Sequence, residues 1–414
     1  MLIEFRAENH RSLKEEQVLS LTASNRIPVD SRVRAVEGVE DGLLTSAVIY
    51  GGNASGKSNV LSAIAYMRDA IVLSHRAWDP EGGVPRSPFA WGDSATAPSM
   101  YETVCIIDSV KYEYGFVVSD QQVEEEWLYA WPHNRKQVWY EREGKKFDFG
   151  DKLDGPNKLV QDATRDNALF LATAMQFGIS SLKPLFHFFS KMSVVDRSNI
   201  RLSTRSPFLE LLFENDRRMT LELFEAGLVD RLRDLFRDAD VGIFEIRREE
   251  QERSVGNRKF KDYRILFQHQ QNDENSWLEL SEESEGTKTL FRLAPRVFQA
   301  LNSGGVLIVD ELEASLHPLL AMQILRLFCC KKTNSQNAQL IFTTHDTNLL
   351  GTTLGEPLLR RDQIWFTEKD EAGATRLYPL TDYKPRNVEN LERGYLQGRY
   401  GAIPFVGQLV IDAE

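Results

Sequence analysis

The stretch "IYGGNASGKSN", residues 49–59, contains the most specific motif in this chain. Gly51 and Gly56 bracket four residues and are followed by Lys57 and Ser58, which is the G-x-x-x-x-G-K-[ST] pattern of a phosphate-binding loop. Glycine lets the backbone turn where a side chain would clash, so successive N–H groups can point at phosphate oxygens. Lys57 would reach the β- and γ-phosphates, and the Ser58 hydroxyl would take one position on Mg²⁺. We therefore expect a nucleotide site.

The residues on both sides of the loop fit such a site. The apolar run 46–50 predicts a buried strand, and apolar residues recur at helical spacing from Val60 to Val72. The following helix would place its positive N-terminal end at the anion. The alternative is a chance glycine-rich turn, but strand, loop and helix together favour the phosphate site. The loop residues expected to contact the nucleotide are Gly51, Asn53, Ser55, Gly56, Lys57, Ser58 and Asn59.

A second motif, "GVLIVDELEASLHP" at 305–318, predicts the metal and catalytic carboxylates. A short buried strand over 306–309 ends in Asp310 and Glu311. Asp310 is placed to order Mg²⁺, which takes few protein ligands, and Glu311 to orient or deprotonate the attacking water. The alternative is a plain strand-to-helix turn, in which Glu311 and Glu313 are solvated acids favoured by the helix dipole.

Two further segments fit an ATP site. In "LSEESEGTKTLFRLAPRVF", residues 280–298, Ser284 and Gly286 open a predicted helix, and its N-terminus would be a second anion site. We interpret it as completing the site of a second subunit; the alternative is an ordinary capped helix. In "AQLIFTTHD", residues 338–346, His345 follows a buried strand predicted to lie beside the phosphate loop. It would touch the γ-phosphate or the water, although a lone histidine is commonly structural.

The composition is ordinary for a soluble globular protein: 42% of the 414 residues are hydrophobic, 27% are charged and the formal net charge is −11. Such a charge disfavours nucleic acid as a direct partner, since duplex binding depends on Lys and Arg. We expect a cytoplasmic location, because the N-terminus has no apolar segment of signal-peptide length and the three cysteines fit a reducing compartment. We expect no membrane partner, because no apolar run approaches the roughly 20 residues of a membrane span. Cys105, Cys329 and Cys330 lack metal-ligand spacing, and the adjacent pair is predicted to be helical core.

The two motifs lie far apart, so the middle of the chain is predicted to be an insertion between two halves of one ATPase core. Residues 101–143 alternate as short strands and predict an antiparallel meander, whereas 180–238 is amphipathic and helical. The division we expect is an N-terminal ATPase lobe over 1–178, a helical insertion over 179–238 and a C-terminal ATPase lobe over 239–414.

In this order, the P-loop, long insertion, S-x-G signature, "VDELEASLHP" and "TTHD" resemble the ABC-type, AAA-family ATPase heads of the SMC, RecF and overcoming-lysogenisation-defect group. The start "MLIEFRAENHRSL", the loop, "LHP" and the end "LERGYLQGRYGAIP" resemble more closely the RloA/AbiL-type ATPases of bacterial abortive-infection loci. The resemblance covers nearly the whole chain. It implies an α/β fold: an ABC-type P-loop ATPase head with a mixed parallel core sheet, an antiparallel β-subdomain and a helical insertion.

The resemblance also implies a head-to-tail homodimer, which could extend to a higher oligomer, with two ATP and Mg²⁺ between subunits. Ser284 and Gly286 of one chain would cap the γ-phosphate held by Lys57 of the other. Asp310 would be the metal carboxylate and Glu311 the catalytic base, with Lys57 and His345 as the other catalytic residues.

Further residues are assigned by the same resemblance. Ser315, Leu316 and His317 would form the loop that crosses the dimer interface, with Ser315 near nucleotide. Gln176, in "NALFLATAMQFG", would contact Mg²⁺, although its segment could be a buried helix. Arg11, in "ENHRS", would be the N-terminal basic residue that contacts nucleotide. The chain departs from transporter ATPases in its Ser-Glu-Gly-Thr signature and from SMC heads in lacking a long heptad arm.

The favoured function is an ATPase that regulates a separate effector in an anti-phage system. The C-terminal part has no TOPRIM-like acidic run, so no fused nuclease is evident, and the resemblance to RloA/AbiL-type ATPases implies a separate TOPRIM/RloB-like effector. The segment "ERGYLQGRYGAIPF" could be a docking element, or could pack on its own core. A RecF- or SMC-like DNA-binding repair ATPase is the main alternative, and a small-molecule kinase is disfavoured because the signature and His345 would have no role.

Overall fold

The computed structural model describes residues 1–195, 227–238, 242–255, 258–270, 276–314, 316–352, 355, 357–384 and 389–403. These residues form two compact units. The first comprises the described parts of Met1–Val194, Ala300–Leu312 and Leu325–Glu414, and the second those of Val195–Gln299 and Glu313–Ile324. Most of the predicted helical insertion over 179–238 lies outside the described residues, so it and the three-part division stay predictions.

The strands are numbered in chain order. They are β1 Leu2–Glu8, β2 Gln17–Ser20, β3 Val33–Val36, β4 Val39–Leu44, β5 Ser46–Gly51, β6 Ser99–Ile107, β7 Val110–Val118, β8 Val123–Trp131, β9 Gln137–Glu143, β10 Lys146–Phe149, β11 Ser193–Val195, β12 Glu245–Val255, β13 Arg258–Gln268, β14 Trp277–Glu279, β15 Val306–Val309, β16 Gln339–Thr343, β17 Ile364–Lys369 and β18 Thr375–Pro379.

The helices are numbered in the same way. They are α1 Lys57–Ala77, α2 Asn157–Ala163, α3 Phe170–Gln176, α4 Lys183–Ser190, α5 Val229–Asp238, α6 Glu285–Ser303, α7 Pro318–Cys329 and α8 Leu391–Leu396. Short 3₁₀ turns include Ser180–Leu182, Thr347–Leu350, Arg361–Gln363 and Leu380–Tyr383. None of the helices in these ranges is both long enough and apolar enough to cross a bilayer.

An antiparallel sheet in the first unit contains the predicted meander. Its order is β10-β9-β8-β7-β6-β1-β2. Successive strands from β6 to β10 pair antiparallel with their chain neighbours. Short turns at Asp108–Ser109 and His133–Asn134 have positive φ, where Asp and Asn are favoured. Alternation along β6 buries one face and leaves the other partly exposed, which is the pattern read from the sequence.

A second sheet in the same unit carries the two motifs. Its order is β11-β15-β16-β5-β17-β18. Strands β15, β16, β5 and β17 run parallel to one another, and β18 returns antiparallel to β17. Every residue of β5, β15 and β16 is buried, as expected of parallel strands covered on both faces. The predicted mixed parallel core sheet with an antiparallel β-subdomain is therefore confirmed.

A buried carboxylate joins the antiparallel sheet to α3. Glu126 is fully buried, and its Oε1 accepts hydrogen bonds from the Tyr114 hydroxyl at 3.0 Å and the Tyr140 hydroxyl at 2.9 Å. Its Oε2 accepts from the backbone N–H of Phe170 at 2.7 Å, and Arg142 lies 3.5 Å away. Burial, followed by the Glu126 charge, raises the pKa of both tyrosines. A charged side chain is tolerated here because it is paired and hydrogen-bonded.

The second unit contains a smaller antiparallel sheet, in the order β12-β13-β14. The predicted strands "GIFEIRREE" and "KDYRILFQHQ" are confirmed as β12 and β13. Phe267 of β13 is buried against Phe236 of α5 and Phe291 of α6, with ring centroids 5.9 and 5.5 Å apart. This aromatic contact holds both helices to the sheet.

The C-terminal segment packs on its own core. Tyr395 and Tyr400 are buried, and both rings lie against Phe366 of β17. This observation supports the core interpretation of the segment over the docking interpretation. The expectation for the cysteine pair is half wrong: Cys329 is buried, but α7 ends there and Cys330 is exposed.

Candidate nucleotide-binding site

The phosphate loop lies between β5 and α1 in the predicted arrangement. Gly56 has φ +104°, a left-handed conformation that glycine adopts without strain. A Cβ atom on Gly56 would lie 2.0 Å from the Thr375 hydroxyl, and one on Gly51 would lie 2.4 Å from the Thr367 hydroxyl. Neither distance is tolerable for a carbon atom. Both glycines are therefore required by the packing behind the loop as well as by its backbone.

The ammonium group of Lys57 lies inside the loop. The residue is 6% exposed, and its Nζ donates hydrogen bonds to the carbonyl oxygens of Gly51 at 2.9 Å and Gly52 at 3.1 Å. Asn53 and Ala54 form the exposed tip of the loop. A phosphate bound by the loop amides would meet this positive charge, which is the geometry that the sequence pattern predicts.

Ser58 and Asp310 meet although 252 residues separate them. The Ser58 hydroxyl donates to Asp310 Oδ1 at 3.1 Å, and the Thr343 hydroxyl donates to the same oxygen at 2.6 Å. A hydroxyl and a carboxylate oxygen are hard oxygen ligands of the kind that Mg²⁺ prefers, so these residues fit the metal implied by the loop. Across the described ranges, no group of three or more His, Cys, Asp and Glu side chains is placed to hold a metal ion. An ion at this position would keep water or phosphate as its other ligands.

Glu311 has a left-handed backbone. Its φ is +52°, and its N–H donates to the Thr343 hydroxyl at 2.7 Å. A non-glycine residue in this conformation costs about 1–2 kcal/mol. The Thr343 hydroxyl therefore makes two bonds: it accepts from the Glu311 backbone and donates to Asp310. One buried side chain fixes both candidate carboxylate residues.

The turn that carries His345 lies at the same edge of the core sheet. Strand β16 pairs with both β15 and β5, so the turn lies between the strand of Asp310 and the strand of the P-loop. The predicted neighbourhood of His345 is thus confirmed, although its contact with nucleotide stays a prediction. His345 is exposed, and the Tyr50 hydroxyl donates to the carbonyl oxygen of the next residue, Asp346, at 2.9 Å.

This geometry agrees with a comparison against known protein families. Residues 46–351 match the family described as "AAA domain, putative AbiEii toxin, Type IV TA system". The match spans more than half of the chain and includes the P-loop, Asp310 and His345. The chain belongs to this family. It therefore carries an AAA-type ATPase domain, and the P-loop described above lies within that domain.

Solved structures similar to this AAA-family chain include SMC heads. The SMC head domain from Thermotoga maritima is 14% identical, with a TM-score of 0.38, over 91% of this chain and 98% of that one. An SmcHead bound to the C-winged helix domain of ScpA is 12% identical, with a TM-score of 0.47, over 91% and 96%. The Smc head with an extended coiled coil from Pyrococcus furiosus is 12% identical, with a TM-score of 0.39, over 92% and 97%. No curated protein matches the chain.

Arg11 lies near the first turn of α1. Its φ is +51°, its side chain is exposed, and its backbone N–H donates to the Ser87 carbonyl at 2.7 Å. The neighbouring Ser12 accepts a hydrogen bond from the Asn59 side chain at 2.6 Å. The backbone of Arg11 is thus fixed next to the P-loop helix. This placement is compatible with nucleotide contact, which stays a prediction.

His10, beside Arg11, is a buried structural residue. Its ring nitrogens lie 2.7 Å from the Tyr101 hydroxyl and 2.9 Å from the Ser62 hydroxyl. Burial, with a smaller contribution from the Arg11 charge, lowers the pKa of His10 to about 3. The imidazole is neutral at physiological pH and joins this corner to α1.

The signature residues lie in the second compact unit. Ser284 is exposed, and its hydroxyl accepts from the Thr287 N–H at 3.1 Å, which is the ordinary capping contact at the start of α6. Gly286 lies in the first turn of that helix. Ser315 falls outside the described residues. In the same segment, His317 Nδ1 accepts from the Leu319 N–H at 3.3 Å.

The assignment of Gln176 to the metal is wrong. Gln176 ends α3, and its Oε1 lies 3.3 Å from a guanidinium nitrogen of Arg76, near the last residue of α1. Ser58 lies in the first turn of the same helix, 18 residues earlier. At a rise of 1.5 Å per residue the two positions are separated by about 27 Å, so Gln176 is too far from Ser58 to share a metal with it.

Sequence reasoning missed four hydroxyl residues that contact the site. They are Ser12, Thr343, Thr367 and Thr375, all buried. The sequence offered a signal only for Thr343, which lies in "TTHD" beside His345. The other three lie in segments without a recognised motif, and their partners are distant along the chain.

Proposed function

We propose that this protein binds ATP with Mg²⁺ and hydrolyses it to ADP and phosphate. The observation that carries the proposal is the contact of the P-loop serine, Ser58, with Asp310, and the shared Thr343 hydroxyl that also holds Glu311. This arrangement brings a phosphate loop, a metal-type carboxylate and a second carboxylate to one edge of a parallel sheet. These are the groups that phosphoryl transfer to water requires.

Each residue would have one role. Lys57 and the loop amides bind the phosphates, and Ser58 with Asp310 would hold Mg²⁺. The ion supplies neutralisation of the charge that develops on the transferring phosphoryl group. The Glu311 carboxylate accepts a proton from the attacking water or orients it. His345, at the adjacent strand end, is placed to contact the γ-phosphate or that water.

The first experiment compares ATP turnover in the parent chain and in Lys57→Ala, Glu311→Gln and Glu81→Gln, the last being an exposed control. Lys57→Ala should abolish ATP binding. Glu311→Gln should bind ATP but lose at least about 100-fold in kcat, the scale of general-base catalysis. The control should match the parent. Hydrolysis by Glu311→Gln at the parental rate would show that the catalytic assignment is wrong.

We further propose that the working enzyme is a head-to-tail homodimer, in which Ser284 and Gly286 of one chain complete the site built on Lys57 of the other. The support is the exposed position of Ser284 at a helix start and the motif order of the chain. Glu311→Gln with ATP should accumulate as a dimer in light scattering. Mixed dimers that carry Ser284→Arg in one subunit should lose hydrolysis in the opposite site; loss only in the same chain would contradict this geometry.

In the cell, we propose that ATP-dependent dimerisation controls a separate effector of an anti-phage, abortive-infection system. The family description, which names a putative toxin of a type IV toxin–antitoxin system, supports this role. The resemblance of the chain termini to RloA/AbiL-type ATPases supports it independently.

Co-purification with the neighbouring gene product should depend on whether ATP or ADP is present. Tight, salt-sensitive DNA binding by the ATP-bound protein alone would favour a RecF-like repair clamp instead.

A further inference from the structure

The hairpin of β17 and β18 contacts the P-loop from the side. Strand β17 pairs parallel with β5, so it follows the P-loop strand to its end at Gly51. The Thr367 hydroxyl lies 2.7 Å from the Ser55 hydroxyl, and the Thr375 hydroxyl donates to the Ser55 carbonyl at 2.8 Å. Both threonines and Ser55 are buried. Ser55, the residue before Gly56, is therefore held through both its side chain and its backbone.

Thr375 also contacts the corner that bears Arg11. Its N–H donates to the Ser12 carbonyl at 2.6 Å, and its hydroxyl lies 2.7 Å from the Ser12 hydroxyl. The Asn59 side chain donates to that Ser12 hydroxyl at 2.6 Å. Ser12 is 7% exposed and Thr375 is 3% exposed, so water has little access to these groups.

The direction of these bonds follows from the number of protons. The Thr375 hydroxyl has one hydrogen, which it donates to the Ser55 carbonyl, so it accepts from Ser12. The Ser12 hydroxyl donates its own hydrogen there and accepts from Asn59. The result is one directed chain from Asn59 through Ser12 and Thr375 to Ser55. Each hydroxyl in it donates once and accepts once, and such chains strengthen cooperatively.

The opposite face of the hairpin is anchored as well. Side chains alternate along a strand, so Phe366, Glu368 and Tyr378 point away from the face of Thr367 and Thr375. The Tyr378 hydroxyl donates to the Tyr400 carbonyl at 3.0 Å, and Glu368 Oε1 accepts from the Ala402 N–H at 2.5 Å. The hairpin is therefore fixed by the C-terminal segment on one face and contacts the P-loop with the other.

We propose that Thr375 is a positioning residue of the nucleotide site. Through the directed chain it fixes both the P-loop at Ser55 and the corner of Arg11, so nucleotide affinity depends on its hydroxyl while the chemical step does not. No bond of Thr375 reaches the Asp310–Thr343–Glu311 group. The proposal rests on the proposed binding of ATP.

The test measures binding of Mg-ADP by calorimetry and steady-state ATP turnover. Thr375→Val keeps the shape of the side chain and removes the hydroxyl, whereas Thr375→Ser keeps the hydroxyl. The matched control is Thr103→Val, because Thr103 is also buried and its hydroxyl also donates to a backbone carbonyl, that of Glu4 at 3.1 Å. Thr103 lies in β6 of the antiparallel sheet, and its hydroxyl bonds to the neighbouring strand β1.

We expect Thr375→Val to weaken ADP binding and to raise KM for ATP by about tenfold, the equivalent of one hydrogen bond, with kcat unchanged. Thr375→Ser and Thr103→Val should bind like the parent. Ser12→Ala removes the hydroxyl that lies between Asn59 and Thr375, and it should weaken ADP binding by a similar factor. In the double variant Ser12→Ala/Thr375→Val, the loss should be smaller than the product of the two single losses, because both changes break one chain.

Parental ADP affinity in a folded Thr375→Val variant would overturn the proposal. Equal weakening in Thr375→Ser, or a loss of kcat without a change in KM, would also overturn it. If Thr375→Val does not fold, Ser12→Ala replaces it in the test: weakened ADP binding would support the proposal, and parental ADP affinity would overturn it. Failure of the parent chain itself to bind Mg-ADP would instead refute the proposed function, so the two failures are distinguishable.

Discussion

Replacing Thr343 by valine tests how the two candidate carboxylates are held. Valine has nearly the same shape but no hydroxyl, so the substitution removes the 2.6 Å bond to Asp310 and the 2.7 Å bond from the Glu311 N–H. The rest of the P-loop contacts stay as they are. The backbone of Glu311 is strained, with φ +52°, and its N–H would lose the hydrogen bond to the Thr343 side chain.

The magnitude follows from these two bonds. A buried donor left unsatisfied costs about 1–3 kcal/mol, and a bond to a charged acceptor contributes about 1.5–3 kcal/mol. Asp310 keeps its bond from Ser58, and both carboxylate residues are partly accessible to water, which recovers part of the loss. We expect the free energy of unfolding to fall by about 2 kcal/mol. Because a shift of 1 Å can cost 100-fold in rate, kcat should fall by about that factor.

Urea denaturation and ATP turnover measure these effects, with two companion variants. Thr343→Ser retains the hydroxyl and should stay within a few-fold of the parental kcat. Thr45→Val is the matched control, because the Thr45 hydroxyl is fully buried and has no hydrogen-bond partner within the described residues. Removing it should leave the free energy of unfolding unchanged or raise it by about 1 kcal/mol. ADP affinity measured without Mg²⁺ should be unchanged in all three variants, because the contacts of Lys57 with the loop are not affected.

The reasoning would be refuted if Thr343→Val and Thr45→Val had the same effect on stability. It would equally be refuted if Thr343→Val kept parental turnover, because Asp310 and Glu311 would then not need the shared hydroxyl.

Three further predictions concern other residues. His10 has a pKa of 6.5 in the unfolded chain and of about 3 in the folded chain. The neutral imidazole therefore contributes its full stabilisation above pH 6.5, and this stabilisation is lost as the pH falls toward 3. Urea denaturation measures the fall in the free energy of unfolding between pH 6.5 and pH 3, and in His10→Gln this fall should be smaller than in the parent by up to ~5 kcal/mol. An equal fall in the two proteins would contradict the burial of a neutral His10. Gly56→Ala places a methyl group where there is no room and forces a left-handed alanine, so calorimetry should detect no ATP binding; near-parental affinity would contradict the packing. Cys330 is exposed and its pKa is lowered by backbone hydrogen bonds, whereas burial raises the pKa of Cys329 to about 11 and of Cys105 to about 12. Iodoacetamide should therefore label one thiol in the native protein, and rapid labelling of all three would show that the core is open.

The elements and the P-loop could be predicted because their signals are local. Alternation over 101–143 predicted the meander, and the apolar run before Gly51 predicted β5, since both patterns report which face of a short segment is buried. The same reasoning placed His345 beside the P-loop, because consecutive parallel strands of an α/β sheet end at one edge.

The hydroxyl contacts could not be predicted, because they join residues that are distant along the chain. Ser12 meets Thr375 across 363 positions, and no period or composition marks either residue. Gln176 shows the opposite error. A motif-like residue was assigned a role by its order in the chain, but α3 packs at the far end of α1, a placement set by side-chain packing and not by sequence spacing.

Three non-glycine residues at or beside the phosphate loop and its carboxylates, Arg11, Ala54 and Glu311, have φ of +51°, +60° and +52°. Glycine would relieve about 1 kcal/mol of strain at each position, but at Arg11 and Glu311 it would also delete the charged group. Directed evolution for heat resistance alone should therefore enrich glycine at 11 and 311 and yield robust but inert proteins. Screening that demands turnover at the same time should retain the strained residues and find its gains elsewhere in the chain.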